Sequence, residues 1–350
     1  MDNQHIIDKK FLYSKAINKV KSKQNIAKVF ISFLVILLIV LIVIQPSLCI
    51  SSVYNGLSVW AKTVLPSLFP FVFLTKLLSN LNVLETITDK LSKVTKFLFK
   101  APAISSYIFL MSIISGYPVG AKLISEFYQQ GKITDRQANK LVTFCSTSGP
   151  LFIIGSVGTA IFFDKKIGYI LFFSHILSSI INGIVFRNKF VDKTEMQKNA
   201  KNECELSTIL PNTMNDTILS CLVVGGYIAI FFLMIELFNN FGFFNPIVDF
   251  LSNILSSLGV TKNAIKSTIF GIIEISKGCI EIAKSGISII ASTTIASFLI
   301  SFGGLCTFFQ ATTFLSKCKV DLKFYLFQKL THAIISAMLS FVLMHVFFWK

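Results

Sequence analysis

Apolar residues run along this chain in long blocks separated by short, mostly basic polar stretches, and none of the blocks alternates with the two-residue period of a membrane strand. Blocks of this length predict bilayer-crossing helices. Residues 30–44 are apolar except for Ser32 and, with their flanks, just reach across. A signal peptide is the competing reading. The preceding basic region is long and no small-residue cleavage motif follows, which favours an uncleaved first transmembrane helix over 29–45. Residues 53–79 form the next span, bent at Pro66 and Pro70, with Lys62 and Lys76 snorkelling near its ends. Residues 82–100 differ. Val83, Leu84, Ile87, Leu91, Val94, Phe97 and Leu98 keep helical spacing, and Lys90, Lys93, Lys96 and Lys100 complete an amphipathic helix suited to the membrane surface.

The segments that follow are interrupted. Gly116 and Pro118 split 101–130 into two pieces too short to cross alone, which predicts a hairpin entering and leaving on one side. A crossing over 141–163 is broken at Ser148-Gly149-Pro150, and 167–186 returns. The second half repeats this plan: a span over 215–238, a surface helix over 246–258, a hairpin over 263–285 broken around Lys277-Gly278, a crossing over 287–315 with Gly303-Gly304 inside it, and a last span over 324–348. Gly120 and Gly278 are separated by nearly the same interval as Gly149 and Gly304, the mark of an internal duplication. Full spans in place of the hairpins are the alternative.

Charge fixes the orientation. The chain carries 33 Lys and Arg against 17 Asp and Glu, 53% hydrophobic residues and a mean hydropathy of +0.70. The basic residues concentrate in 1–28, 80–100, 125–140, 187–213 and 316–323, whereas 46–52 and 239–261 contain none. This is the positive-inside pattern, so the net charge of +16 marks cytoplasmic loops and an N-terminus inside, not nucleic-acid binding. The extra helix at 167–187 makes the second repeat enter from the opposite face. The expected fold is therefore an all-α polytopic membrane protein, an inverted repeat of span, interfacial helix, re-entrant hairpin and broken helix. Its parts are a cytoplasmic basic tail (1–28), the first transmembrane helix (29–45), repeat 1 (53–187), a cytoplasmic loop (188–213) and the inverted repeat 2 (214–348).

The break motifs resemble a known family. Ser115-Gly116-Tyr117-Pro118-Val119-Gly120-Ala121-Lys122, Phe144-Cys145-Ser146-Thr147-Ser148-Gly149-Pro150, Glu274-Ile275-Ser276-Lys277-Gly278-Cys279 and Gly303-Gly304-Leu305-Cys306-Thr307-Phe308-Phe309-Gln310 are similar to those of the sporulation integral membrane protein YlbJ family, over roughly residues 50–345. The order of elements resembles the gate, or nucleoside-recognition, domain and the concentrative nucleoside transporters. The resemblance implies a bacterial endospore former, a role in forming the spore cortex or envelope, and residence in a cell or forespore membrane. It names no substrate.

Backbone that leaves the helix inside lipid survives only where it faces a cavity or neighbouring protein, so paired breaks point to a midplane solute site. The candidate substrate-binding residues are Ser115, Gly116, Tyr117, Pro118, Gly120, Lys122, Ser146, Thr147, Ser148, Gly149, Glu274, Lys277, Gly278, Gly303, Gly304 and Gln310. Half-helix starts and the two lysines suit an anionic group, and Glu274 suits a lysine partner or a coupling cation. Helix packing is the competing role for the small residues, a salt bridge for Glu274 and Lys277, and snorkelling for Lys122. Gly155, Gly158, Gly225 and Gly226, for which packing is a competing role, are left out of the site. His175, His332 and His345 sit singly on apolar stretches, where hydrogen-bonded packing is favoured over catalysis. No HExxH, GxSxG or Walker loop occurs, and the seven cysteines form no CxxC or metal-ligand spacing, so no enzyme, cofactor or metal is expected. Transport of a small polar solute, driven by an ion gradient or passive, is the first function read from this pattern. A membrane scaffold contacting spore-envelope assembly proteins through 82–100 and 187–213 is the second. The lipid bilayer is a partner in either case, and a homo-oligomer is compatible with both.

Overall fold

The structure, a computed structural model, describes residues 28–29, 31–80, 84–192, 194, 206–255 and 259–348. The predicted basic tail up to residue 27 and the middle of the predicted 188–213 loop lie outside the described residues. Among the described residues every regular element is helical.

The chain divides into two units, Met1–Ser51 and Ser52–Lys350. The first carries α1 (Ile31–Ile44), an apolar helix with most side chains exposed. In sequence, α2 (Pro46–Val59) begins in the first unit and ends in the second. It continues through a π turn (Trp60–Val64) into α3 (Leu65–Asn80), which carries Pro70 inside it. Lys76 near its end does not reach for solvent as predicted. Its Nζ lies 2.6 Å from Glu126 and 3.3 Å from Asp216, so the side chain joins three elements of the bundle.

The amphipathic segment forms α4 (Leu84–Phe99), with Leu91, Val94 and Phe97 exposed. The first hairpin is α5 (Ser105–Ser115) and α6 (Val119–Gln129). The broken crossing is built from α7 (Asp135–Leu141), an irregular stretch, and a π helix (Leu151–Ile161), and α8 (Lys165–Val185) returns. The second set is α9 (Leu206–Asn240), α10 (Asn245–Leu255), the hairpin α11 (Lys262–Ile273) and α12 (Ile275–Ala283), the broken helix α13 (Ile289–Phe302) and α14 (Gly304–Leu315), and α15 (Leu322–Phe348). The predicted order of elements occurs twice. Among the described residues, five helical segments are long and apolar enough to cross a membrane: Pro46–Ser79, Lys165–Val185, Ser207–Asn240, Ile289–Leu315 and Leu322–Phe348. The protein is an all-α multi-pass membrane protein.

Three boundaries differ from expectation. α2 starts at Pro46, seven residues before the predicted span, so the stretch 46–52 is helical. α9 starts nine residues before the predicted span and contains Pro211, whose missing N–H costs the helix a bond without ending it. At a rise of about 1.5 Å per residue its 35 residues span roughly 50 Å, longer than a bilayer core. The second hairpin breaks at Glu274, not at Lys277-Gly278. Glu274 alone is extended, and its carboxylate accepts the Lys277 N–H at 2.7 Å, which starts α12 before Gly278 is reached.

The core does not split along the sequence repeat. One apolar cluster joins Phe99, Tyr107, Phe127 and Phe144 to Cys221, Phe232, Leu315 and Tyr325, and a second joins Ile153, Val157 and Leu171 to Ile282, Ile300 and Met344. Surface helix starts are capped by side chains: Thr134 and Gln137 form a capping box on α7, Asp164 caps α8, Thr261 caps α11 and Ser288 caps α13. α6, the Leu151–Ile161 helix and α14, which start at breaks, follow Pro118, Pro150 and Gly303 and have no side-chain cap.

Close packing at the breaks depends on missing Cβ atoms. One placed on Gly120 would lie 1.8 Å from the Cys145 carbonyl oxygen, whereas one on Gly155 would meet nothing within 4 Å. Gly120→Val should therefore abolish a monodisperse size-exclusion peak, and Gly155→Ala should change thermal stability by no more than about 0.5 kcal/mol. Normal folding of Gly120→Val would refute the close approach.

Candidate functional site

The four breaks meet in two pairs. A Cβ on Gly116, where φ is +77°, would lie 2.4 Å from the Gly149 amide nitrogen, so the first hairpin's break rests directly on the Ser148–Pro150 break. In the second half, a Cβ on Gly304 would lie 3.1 Å from the Gly271 carbonyl oxygen and close to those of Ile272 and Ile273, which lead into Glu274.

A buried polar cluster then ties the halves together. Lys329 on α15 is buried, and its Nζ donates to the Tyr117 hydroxyl and, at 3.1 Å, to the Ser146 carbonyl. The same ammonium stands 4.5 Å from the centroid of the Tyr117 ring. Tyr117 also donates toward the Ile300 and Ser301 carbonyls at 3.4 Å each, where α13 approaches its break. Ser146 Oγ and the Tyr325 hydroxyl are 2.8 Å apart. The Ser148 backbone N–H donates to His175 Nε2 at 2.8 Å, and His175 Nδ1 is 2.7 Å from Ser301 Oγ. His332 Nε2 lies 3.1 Å from the His175 carbonyl, and the two rings are 4.8 Å apart. Among the described residues, no carboxylate lies within ion-pair distance of Lys329.

The predicted residues divide around this cluster. Tyr117, Ser146, Ser148 and Gly303 stand at it, with Gly303 against the Lys329 stem. Gly116, Pro118, Gly120 and Gly149 shape the break that carries Tyr117. Ser115 turns instead to Thr75, 2.6 Å away, and Thr147 to Ser112 at 3.2 Å. Lys122 does not snorkel outward but donates to Ser220 at 2.7 Å and toward the Asp216 carbonyl. Glu274 and Lys277 form no side-chain ion pair with each other. Glu274 caps α12, while Lys277 Nζ lies 2.8 Å from Glu236 on α9 and 3.1 Å from Glu281. Gly278 sits over Gly271, Gly304 beside the Glu274 break, and Gln310 donates to Cys306 within α14.

Lys329, His332, His175, Ser301 and Tyr325 were not among the predicted site residues, and the two histidines do not sit singly. The signal lay in α15: Lys329, His332, Ser336 and Ser340 recur at helical spacing in an otherwise apolar span. A spine of hydrogen bonds continues below the cluster. Asn182 donates to the Thr143 carbonyl at 2.8 Å and to Gln328 Oε1 at 3.0 Å, and Thr331 donates to Asn182 Oδ1 at 2.7 Å. Lys140, outside the spans, donates to the Phe186 and Arg187 carbonyls at the end of α8. Burial, with Lys100 and Arg187 nearby, pulls its pKa down to about 8.

The chain is 24% identical over 330 residues to the sporulation integral membrane protein YlbJ of Bacillus subtilis (strain 168), a match covering 88% of this chain and 79% of that protein. The match supports the YlbJ-family resemblance read from the break motifs. No protein-family model matches the chain, and no solved structure matches it.

If Lys277 and Glu236 serve as a structural pair, Lys277→Met and Glu236→Gln should each lower the melting temperature, and the double variant should be no worse than the poorer single one. The coupling should be about 1 kcal/mol for a partly exposed pair. Strictly additive losses in lipid nanodiscs would refute the pairing.

Proposed function

We propose that this YlbJ-like membrane protein acts in sporulation, in forming the spore cortex or envelope, by moving a small polar solute with an anionic group through the site at the helix breaks. The observation that carries this reading is Lys329. A lysine buried in a membrane bundle without a carboxylate is costly, and such residues are by default functional. This one lies between the two break pairs, touching Tyr117 and Ser146 of the first half beside Gly303 of the second. A solute carboxylate or phosphate would supply the missing countercharge, and the starts of α6 and α14, which no side chain caps, would add the positive ends of their helix dipoles. The carboxylates Glu126, Asp216, Glu236 and Glu281 are engaged by Lys76 and Lys277, and Glu274 caps α12, so they leave the lysine's charge unmatched. Alternating movement of the two hairpin units, which meet through side-chain hydrogen bonds at this point, would expose the site to each face in turn.

A second reading, a scaffold for spore-envelope assembly, draws on α4. Its exposed Leu91, Val94 and Phe97 sit beside a row of lysines and offer a contact surface for lipid or protein. In that case charge reversal on α4 would abolish sporulation and substitutions at the breaks would be tolerated.

Thermal shift in nanodiscs separates the readings. Nucleosides, amino acids, peptidoglycan precursors, dipicolinate and metal ions form the panel, each with and without sodium. An anionic member should raise the melting temperature with concentration, adding about 2.7 kcal/mol of stability at a hundredfold excess over Kd. Lys329→Met should remove the shift while keeping a sharp transition. A flat panel with well-folded protein would refute the solute reading.

A further inference from the structure

We infer that the coupling ion is a proton and that it binds His175, where it releases the break at Ser148. This rests on the anionic-solute reading for its coupling, but the proton site stands on its own geometry. The hydrogen bonds of His175 fix its tautomer. The Ser148 backbone N–H is an obligatory donor, so Nε2, 2.8 Å away, holds a lone pair, and the ring proton sits on Nδ1 facing Ser301 Oγ at 2.7 Å. Protonation at Nε2 forms one N–H bond as an O–H bond of hydronium, supplied by bulk water, breaks. It sets two donors against each other and expels the Ser148 N–H, the amide that holds the second break against α8. Binding a proton and opening the break are thus one event.

The proton's exit is drawn in the same helices. Loss of the proton from Nδ1 to Ser301 Oγ, as Ser301 passes its own hydroxyl proton on, restores a neutral imidazole, so the ring takes a proton on one nitrogen and gives one up from the other. Beyond Ser301 on α13, Ser297 Oγ lies 2.8 Å from Ser336 Oγ of α15. One turn further on each helix stand Thr293 and Ser340, both fully buried, with hydroxyls that have no hydrogen-bond partner in the structure. Hydroxyls that served only to glue helices together would be paired. A row of hydroxyls, paired at Ser297–Ser336 and unpaired at Thr293 and Ser340, leads toward the start of α13 and the end of α15 and suits water-assisted proton transfer to bulk water, the source and sink of the proton.

The surroundings set the order of events. The ionisable groups around His175 are Tyr117 from the first hairpin and Lys329 and His332 from α15. α13 contributes hydroxyls alone. With no carboxylate paired to Lys329 among the described residues, its ammonium opposes a second positive charge on His175. An anion bound at Lys329 removes that opposition, so solute and proton favour each other's binding, as symport requires. A sodium site built on carboxylates is poorly served, since Glu126, Asp216, Glu236 and Glu281 are in ion pairs and Glu274 caps a helix.

The test uses the full chain in phosphatidylethanolamine–phosphatidylglycerol vesicles on a solid-supported membrane, with no solute added. A pH jump should produce a transient charge displacement and a sodium jump at constant pH none. His175→Gln, whose side-chain oxygen still accepts the Ser148 N–H, should melt sharply and lose the transient. Lys329→Met should enlarge it for the same jump, and Ser336→Ala, which removes one hydroxyl, should slow it. A full transient in His175→Gln, the absence of any pH transient, or a sodium transient in its place would overturn the inference. Should His175→Gln fail to fold, an unchanged transient in both Lys329→Met and Ser336→Ala would overturn it instead. A flat ligand panel with the His175-dependent transient intact would refute the solute reading and keep the proton site. A positive panel without a pH transient would do the reverse.

Discussion

Backbone that leaves a helix inside a membrane must find partners within the protein, and the rest of this structure follows from how four such departures are accommodated. They are placed against one another. Gly116 rests on Gly149, Gly120 on the Cys145 carbonyl, and Gly304 on the carbonyls before Glu274. Close approach of this kind admits no Cβ, which is why small residues gather where the helices stop. Two apolar clusters, each drawing on both halves, pack around these breaks, so the halves cannot be independent domains in their packing.

Once the breaks are joined, charge is what distinguishes one from another. Glu274 is consumed by the start of α12, and Lys277, Lys76 and Lys122 are tied to α9 through Glu236, Asp216 and Ser220. These contacts brace each hairpin against the long helix beside it. Lys329, like Lys122, has a hydroxyl and a backbone carbonyl as partners, but unlike the half-buried Lys122 it is buried, and it stands between the break pairs. The proposed solute and proton roles both draw on that buried charge: one fills it, and the other feels whether it is filled.

The three-helix seam of α8, α13 and α15 supplies the polar groups that such roles need. Its hydroxyls and imidazoles are buried and face protein, where a polar group in a membrane is least costly. His175 belongs to the first half, Ser301 and His332 to the second, and the contact between them exists only because α8 lies against α13 and α15.

The apolar blocks, the basic loops and the glycine and proline interruptions were enough by themselves to determine an all-helical membrane protein, the repeated order of its elements, the two hairpins and the residues of the first two breaks. Those features are local: a helix span, a turn that only glycine permits and a proline that cannot donate are each written in a few consecutive positions. Tertiary structure decided everything that depends on partners. Glu274 and Lys277 are neighbours in sequence, yet the carboxylate turned to its own helix start and the ammonium to Glu236, some forty residues earlier in the chain. Lys329, His332 and Ser336 carried a legible polar stripe, but its meaning came from Tyr117, Ser146 and His175, which are distant in sequence and which only the folded bundle places beside it. Side-chain hydrogen bonds between remote elements leave no periodic trace in a sequence, because either partner alone is compatible with many neighbours.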